Sequence, residues 1–463
     1  MTMSPSLDER YLQFNSTTSA VFQQFPQIEA LRHFIFRQLL ISPRPFEWQH
    51  AAKQWIRPLV RRQRTQGLRQ QYGVLLFLES AREVISEALL PVFHELTCRN
   101  QRVGLVSLHG PCELPSSSIR FQFPTTFRVP TWAKQAWAAL CEAEPTLAKR
   151  TLADWFFTAS MDIQGCLSEM DHILEATCPD VVVAASTQLP GGSALIASAN
   201  LKRISTVLLQ HGVLQPLYVP IFAKSMCTWG PSSDMTLMRL GAEPHRLHPL
   251  GSPRHDAMYS TDRETARRAL LHELSLEEKP TLVFFSNGND SARNGSAPVE
   301  CARWLEEVAG KYAGRINVIV RLHPNEDGAL YRNCSSLVMT KQRPGLGRLL
   351  DGCDCIASLC STAMLDALLY HKPVWQFCAD GWPHLADNWK LGLATRIESA
   401  VELAHAVERL LETGGRPCST NGVLERVFSN HGRATQAVAD FLVSEARAGQ
   451  AAKTPCLSPA AVE

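Results

Sequence analysis

The sequence predicts an α/β protein built from two doubly wound parallel-sheet domains behind a helical N-terminal extension. Three observations predict it. Short apolar runs alternate with longer helix-period stretches from residue 73 onward. The alternation restarts after a helical connector at 262–278. Nearly every apolar run ends in glycine and polar residues, where open parallel sheets bind their ligands. A chain of 463 residues is also too long for one ordinary core.

Residues 1–70 read as a helical extension. Within it, Arg57, Arg61, Arg62, Arg64 and Arg69 follow Trp48 and Trp55. Such a run is either a solvated charged helix face or a contact for anionic lipid at the inner membrane surface. The first reading is preferred, because a basic run alone is unspecific. Residues 71–260 form the first domain. Gly73–Leu78 and Val103–Leu108 are continuous apolar runs and read as buried strands, with a helix through Val84, Leu89 and Phe93 between them. A proline-containing loop covers 111–130, and 132–176 is mainly helical. Asp180–Ala185, Thr206–Gln210, Met226–Trp229 and Leu247–Leu250 add strands, with a small-residue helix at Gly191–Asn200.

Residues 261–447 form the second domain. Its strands are Thr281–Phe285, Asn317–Leu322, Asp354–Ser358 and Val374–Phe377. Val299–Tyr312 is an amphipathic helix and Ser361–Tyr370 a shorter one, with further helices near 398–412 and 432–447. The alanine- and proline-rich tail, 448–463, is expected to be disordered.

Composition narrows the function. Apolar residues are 45% and charged residues 19%, a globular balance. A net charge of +2 argues against a dedicated nucleic-acid binder. There is no signal-peptide pattern at Met1–Phe14, no membrane-spanning apolar stretch and no C-x-x-C pair. The 14 cysteines are therefore expected to be reduced, and the location cytoplasmic. Cys353, Cys355 and Cys360 lack zinc spacing. No Walker, dinucleotide, zinc-protease or serine-hydrolase motif is present, nor an Asp-x-Asp metal anchor, so metal-independent chemistry without a cofactor is expected.

The strongest local signal is Ser361-Thr362-Ala363-Met364-Leu365-Asp366. Ser361 and Thr362 sit where a loop becomes a helix, suited either to a phosphate or to simple capping. Asp366 lies one turn later and is expected to accept from ribose hydroxyls. The second signal is Arg321-Leu322-His323-Pro324-Asn325-Glu326. Pro324 ends the strand and fixes His323 for a phosphate or a base; Arg321 and Glu326 flank it. Ser286, Asn287 and Gly288 follow the preceding strand and join the nucleotide site. In the first domain His211-Gly212 follows a buried strand, and Gly251-Ser-Pro-Arg-His-Asp256 follows the last one. Gly212 and Arg254 are candidate phosphate or acceptor contacts, although Arg254 could simply pair with Asp256. Glu79 and His211 are the candidate bases, with His109 a weaker third.

Asp354-Cys-Ile-Ala-Ser-Leu-Cys-Ser-Thr-Ala-Met-Leu-Asp366 followed by Lys372-Pro373-Val374 resembles the donor site of bacterial surface- and capsular-polysaccharide transferases of GT-B fold. Related patterns occur in CDP-glycerol glycerophosphotransferases, capsule Kdo transferases and bacterial sialyl- and polysialyltransferases. In the last two a His-Pro motif contacts CMP and a Ser-Ser/Thr pair its phosphate. His323-Pro324 and Ser361-Thr362 match both in order. Gln210-His211-Gly212, Trp229-Gly230, Gly241 and Gly251–Asp256 are similar to the group's first half. The acidic-acidic-glycine motif that carries the sialyltransferase base has no counterpart here.

The resemblance implies a GT-B enzyme whose two sheets face a central cleft. It would be an inverting transferase moving a sugar, or a glycerophosphate-like group, from a nucleotide-activated donor to a glycan or lipid-linked glycan acceptor. CMP- or CDP-linked donors are favoured over UDP-linked ones. The alternatives are a UDP-sugar 2-epimerase-like enzyme and a non-catalytic nucleotide-binding relative.

Overall fold

The computed structural model describes residues 7–40, 71–79, 83–108, 119–121, 128–188, 190–258, 262–287, 296–324, 326–341, 343–379, 388–413 and 422–453. His109, Gly288 and the arginine run 57–69 with Trp48 and Trp55 lie outside them. The chain divides into an N-terminal unit, Asp8–Asp256 with Phe428–Glu463, and a C-terminal unit, Ala257–Val427 with Met1–Leu7.

The N-terminal unit opens with helices α1 (Leu7–Gln24) and α2 (Arg32–Leu40). Its sheet holds β1 (Val74–Leu78), β2 (Val103–Leu108), β3 (Ile119–Phe121), β4 (Val181–Ala184), β5 (Ser205–Leu209), β6 (Ser225–Thr228) and β7 (Leu247–Pro249). Between them run α3 (Glu83–Cys98), α4 (Thr131–Ala143), α5 (Arg150–Thr177), α6 (Pro190–Leu201) and α7 (Pro231–Arg239). Every pairing is parallel and the order is β3-β2-β1-β4-β5-β6-β7. The continuous apolar runs of β1 and β4 are wholly buried, as a sheet covered on both faces requires.

The C-terminal unit holds β8 (Thr281–Phe285), β9 (Asn317–Arg321), β10 (Val338–Thr340), β11 (Cys355–Ser358), β12 (Val374–Phe377) and β13 (Thr395–Ile397). Its helices are α8 (Arg263–Glu273), α9 (Ala297–Lys311), α10 (Leu346–Gly352), α11 (Ala363–Leu369), α12 (Ala400–Thr413) and the single turn α13 (Leu424–Val427). The order is β10-β9-β8-β11-β12-β13, again all parallel. Its core joins Phe284, Trp304, Val320, Phe377 and Val407 from sheet and helices.

The last helix, α14 (Ala434–Lys453), corrects two expectations. The sequence pattern assigns its first part to the second domain and its end to a loose tail. Instead Val438, Ala439, Leu442 and Ala446 enter the N-terminal core beside Leu76 and Val183. Asp256 caps it, accepting from the amides of Ala434 and Thr435 at 2.9 and 2.7 Å. Gly251 has φ +96°, and a side chain there would be driven into the Ser429 carbonyl oxygen. Further along, Gln450 donates to Asp180 at 2.7 Å. Sequence neighbours in the second half thus complete the first core.

Candidate functional site

In each sheet the strand order reverses beside one strand, between β1 and β4 and between β8 and β11. Loops leaving the carboxyl ends of these strands diverge to opposite faces and open a crevice, the usual place for a ligand in such folds. Glu79 follows β1, and Ser286–Asn287 and Ser361–Thr362 follow β8 and β11, at these points; His323, His211 and Arg254 follow strands further out.

In the C-terminal unit the register levels Phe285 with Arg321 on one side and with Ser358 on the other. Ser286 and Asn287, His323, and Ser361 with Thr362 therefore leave the same edge of the sheet. Asn287 joins two of these loops. Its Oδ1 accepts from the Cys360 amide at 3.2 Å, and its Nδ2 donates to the Cys360 carbonyl. The Ser358 hydroxyl lies 2.8 Å from the Phe285 carbonyl and 3.0 Å from Asn287 Oδ1, its one proton serving either. From the other side Gln376 donates to the Leu359 carbonyl at 3.1 Å and accepts from the Trp389 amide at 3.2 Å. The Cys360–Thr362 loop is so fixed by both neighbouring strands. Sequence reasoning missed Gln376; a buried amide in the apolar run Val374–Phe377 was its signal.

Ser361 and Thr362 are half-buried at the start of α11. The Ser361 hydroxyl accepts from the Ala363 amide at 3.3 Å, whereas Thr362 makes no side-chain cap. The capping and phosphate readings divide between the two hydroxyls. The helix has only seven residues, all buried, so the loop rather than a long dipole must carry any anion. Asp366 is corrected: it is fully buried, in the interior instead of reaching a ribose.

His323 and Pro324 are exposed. Glu326 is buried, and its Oε2 accepts from the His323 amide at 2.9 Å while its own amide donates to the His323 carbonyl at 2.8 Å. It shapes the His323 turn and is not itself placed to meet a ligand, a second correction. Arg321 is half-buried and donates to the Pro344 carbonyl at 3.0 Å. Ser286 is buried and lies 3.3 Å from the Tyr331 hydroxyl.

In the N-terminal unit Glu79 follows β1 and is buried. Its two oxygens accept from the Gly191 and Gly192 amides, at 2.6 and 2.7 Å, in the first turn of α6. Burial pushes its carboxyl up to about 7, against the pull of those two donors. With the side chain buried and both oxygens engaged by backbone amides, access rather than basicity argues against Glu79 as the base.

His211, two strands further along after β5, is half-buried. Its Nδ1 is bonded to the Ala185 carbonyl, and the Tyr218 hydroxyl lies 3.4 Å from the same nitrogen. A carbonyl only accepts, so Nδ1 carries the proton and the basic lone pair is on Nε2. Gln210 holds this turn: it donates to the Gly212 carbonyl at 3.1 Å and accepts from the Trp229 amide at 2.9 Å. The Trp229 indole in turn donates to the Gln210 carbonyl at 2.8 Å. Gln210-His211-Gly212 and Trp229-Gly230 are thus one interlocked unit.

Arg254 is corrected too. It is buried and its Nε donates to Glu87 of α3 at 2.9 Å, an ion pair within the unit that the sequence pattern did not foresee.

No protein-family model and no curated protein sequence matches the chain. Solved structures do. The Methanocaldococcus jannaschii UDP-GlcNAc 2-epimerase in complex with UDP-GlcNAc and UDP is similar with a TM-score of 0.53 at 13% identity. It covers 80% of this chain and 99% of its own. The S. aureus MnaA–UDP co-structure has a TM-score of 0.52 at 11% identity, covering 80% of this chain and 95% of its own. The fold is GT-B, as the sequence predicts. At these identities the likeness concerns architecture, and the chemistry rests on this chain's own residues. Among the described residues no helix is long and apolar enough to cross a membrane, and no cluster of three His, Cys, Asp or Glu side chains could hold a metal ion.

Proposed function

We propose that the protein is a nucleotide-sugar transferase with its donor's phosphate at the Cys360–Thr362 loop of the C-terminal unit. The carrying observation is that Ser286–Asn287 and Ser361–Thr362 leave one sheet edge at the point of strand reversal, with His323 following the next strand at the same level and the Cys360–Thr362 loop held by Asn287 and, through Leu359, by Gln376. The Thr362 hydroxyl, uncommitted to capping, donates to the phosphate, and His323 meets phosphate or base. The motif resemblance favours CMP- or CDP-linked donors. His211 takes the acceptor hydroxyl proton at Nε2. The acceptor oxygen then displaces the nucleotide in one step with inversion, and fixed donors stabilise the leaving phosphate without a metal. The acceptor is a glycan or its lipid-linked form.

Calorimetric titration with CMP, CDP and UDP tests the site. The S361A/T362A double variant should bind its preferred nucleotide on the order of tenfold to a hundredfold more weakly, the loss of one or two hydrogen bonds to a charged group. An unchanged affinity removes the phosphate from this loop. Turnover that persists in excess chelator is expected.

The named activity of the solved neighbours favours a second reading, a UDP-sugar 2-epimerase. Incubation with UDP-GlcNAc alone separates the two. An epimerase produces the 2-epimer without an acceptor, seen by proton NMR, and a transferase does not.

A further inference from the structure

The strand-reversal point of the N-terminal unit is built like an anion seat, and the chain fills it itself. α6 has twelve residues and opens at this point with Gly191 and Gly192 in its first turn. Both amides converge on one carboxylate. Gly192 has to be glycine, because a Cβ there would be driven into the Ser186 carbonyl oxygen; at Gly191 a Cβ would meet only the end of the Glu79 side chain, 2.8 Å from Oε1. Bare amides at a helix start, reached closely by two oxygens of one anion, are the arrangement that elsewhere holds phosphate. The side chain filling it comes from a strand end 112 residues earlier, so the pairing is a tertiary contact and not a local cap.

We infer that the Glu79 carboxyl is the built-in occupant of this seat and keeps a ligand's phosphate out of the N-terminal unit. Because the occupant is the chain's own, this holds whatever ligand the C-terminal unit takes. Glu79 is then a specificity-determining residue. It closes the crevice of the N-terminal unit to oxyanions.

The test is anion rescue of the full-length Glu79→Ala protein, followed by thermal unfolding at about pH 8, where the wild-type carboxyl is ionised. The probes are sodium formate and inorganic phosphate, with sodium chloride at equal ionic strength as control. Formate and phosphate should each raise the variant's Tm, by on the order of 5 °C, while chloride does not. The same anions should not produce that gain in wild type or in Glu79→Gln, whose amide still fills the space. Calorimetry should find one more phosphate bound per chain in Glu79→Ala than in wild type. Rescue by formate alone would overturn the claim about phosphate, because the seat would then be too small for it. Rescue by neither anion overturns the whole inference. Should Glu79→Ala fail to stay folded, its refolding yield in formate or phosphate against chloride decides between the same outcomes.

Discussion

The two units share one topology and treat its reversal point in opposite ways. In the N-terminal unit a carboxyl side chain, Glu79, leaves the central strand β1 and closes on the first amides of α6, the helix after the neighbouring strand β4. In the C-terminal unit a neutral one, Asn287, leaves the equivalent strand β8 and ties the neighbouring loop through its backbone. An amide can both donate and accept, so it fixes a loop without adding charge. A carboxylate brings the very charge a helix start attracts. One crevice is therefore self-filled, while the other keeps half-buried hydroxyls at Ser361 and Thr362.

The largest expected effect separates chemistry from binding. His211→Ala should lower turnover by about a hundredfold to ten-thousandfold, the range for a lost general base, and leave the nucleotide Kd unchanged. Steady-state kinetics beside calorimetry would check it; equal losses in both would break the assignment of the base to the N-terminal unit.

Gly192→Ala sharpens the contrast from the backbone side. Its new methyl group meets the Ser186 carbonyl, and the variant should lose about 3 kcal/mol or more in denaturant unfolding. A mutant with wild-type stability would mean the seat is not tightly built.

The charge difference between the two crevices also predicts a pH dependence. The Glu79 carboxyl is raised from 4.5 to about 7 by burial. Between those values the folded state keeps a proton that the unfolded state has released, so stability falls as pH rises. The fall should amount to about 3 kcal/mol. Cys166, itself pushed up by burial, is the neighbouring thiol and stays protonated throughout this range. Urea unfolding of Glu79→Gln should lack this part of the slope, and an identical slope would assign it to other groups.

The smallest effect concerns the amide. Asn287→Ala removes the ties to Cys360 and should cost about 2 kcal/mol, with weaker nucleotide binding. Asn287→Asp is the sharper variant. It keeps an acceptor for the Cys360 amide, but sets a negative charge against the Cys360 carbonyl and near the proposed phosphate. It should therefore bind nucleotide more weakly than Asn287→Ala, as calorimetry on both variants can show.

Much of this fold was legible in the sequence. The long strands β1, β4, β8 and β9 are continuous apolar runs whose burial on both faces follows from composition alone. Of the three-residue edge strands β7 was legible, whereas β3, β10 and β13 were not, because so short a run carries little period to read. At the site, the residue types and their positions at strand ends were readable; that the strands leading to His323 and to Ser361–Thr362 flank β8 on either side was not.

Which of those side chains face a ligand was decided only by packing. Glu79, Arg254, Asp366 and Glu326 carry the same chemistry on paper as any catalytic or binding group. Each is buried in the fold, with Glu79, Arg254 and Glu326 held by named partners there. Sequence fixes what a strand end can offer, because local pattern sets where the strand stops. Whether the offer is kept for a substrate or consumed inside the protein depends on contacts between residues more than a hundred positions apart, as between Glu79 and Gly191, and no local pattern encodes those.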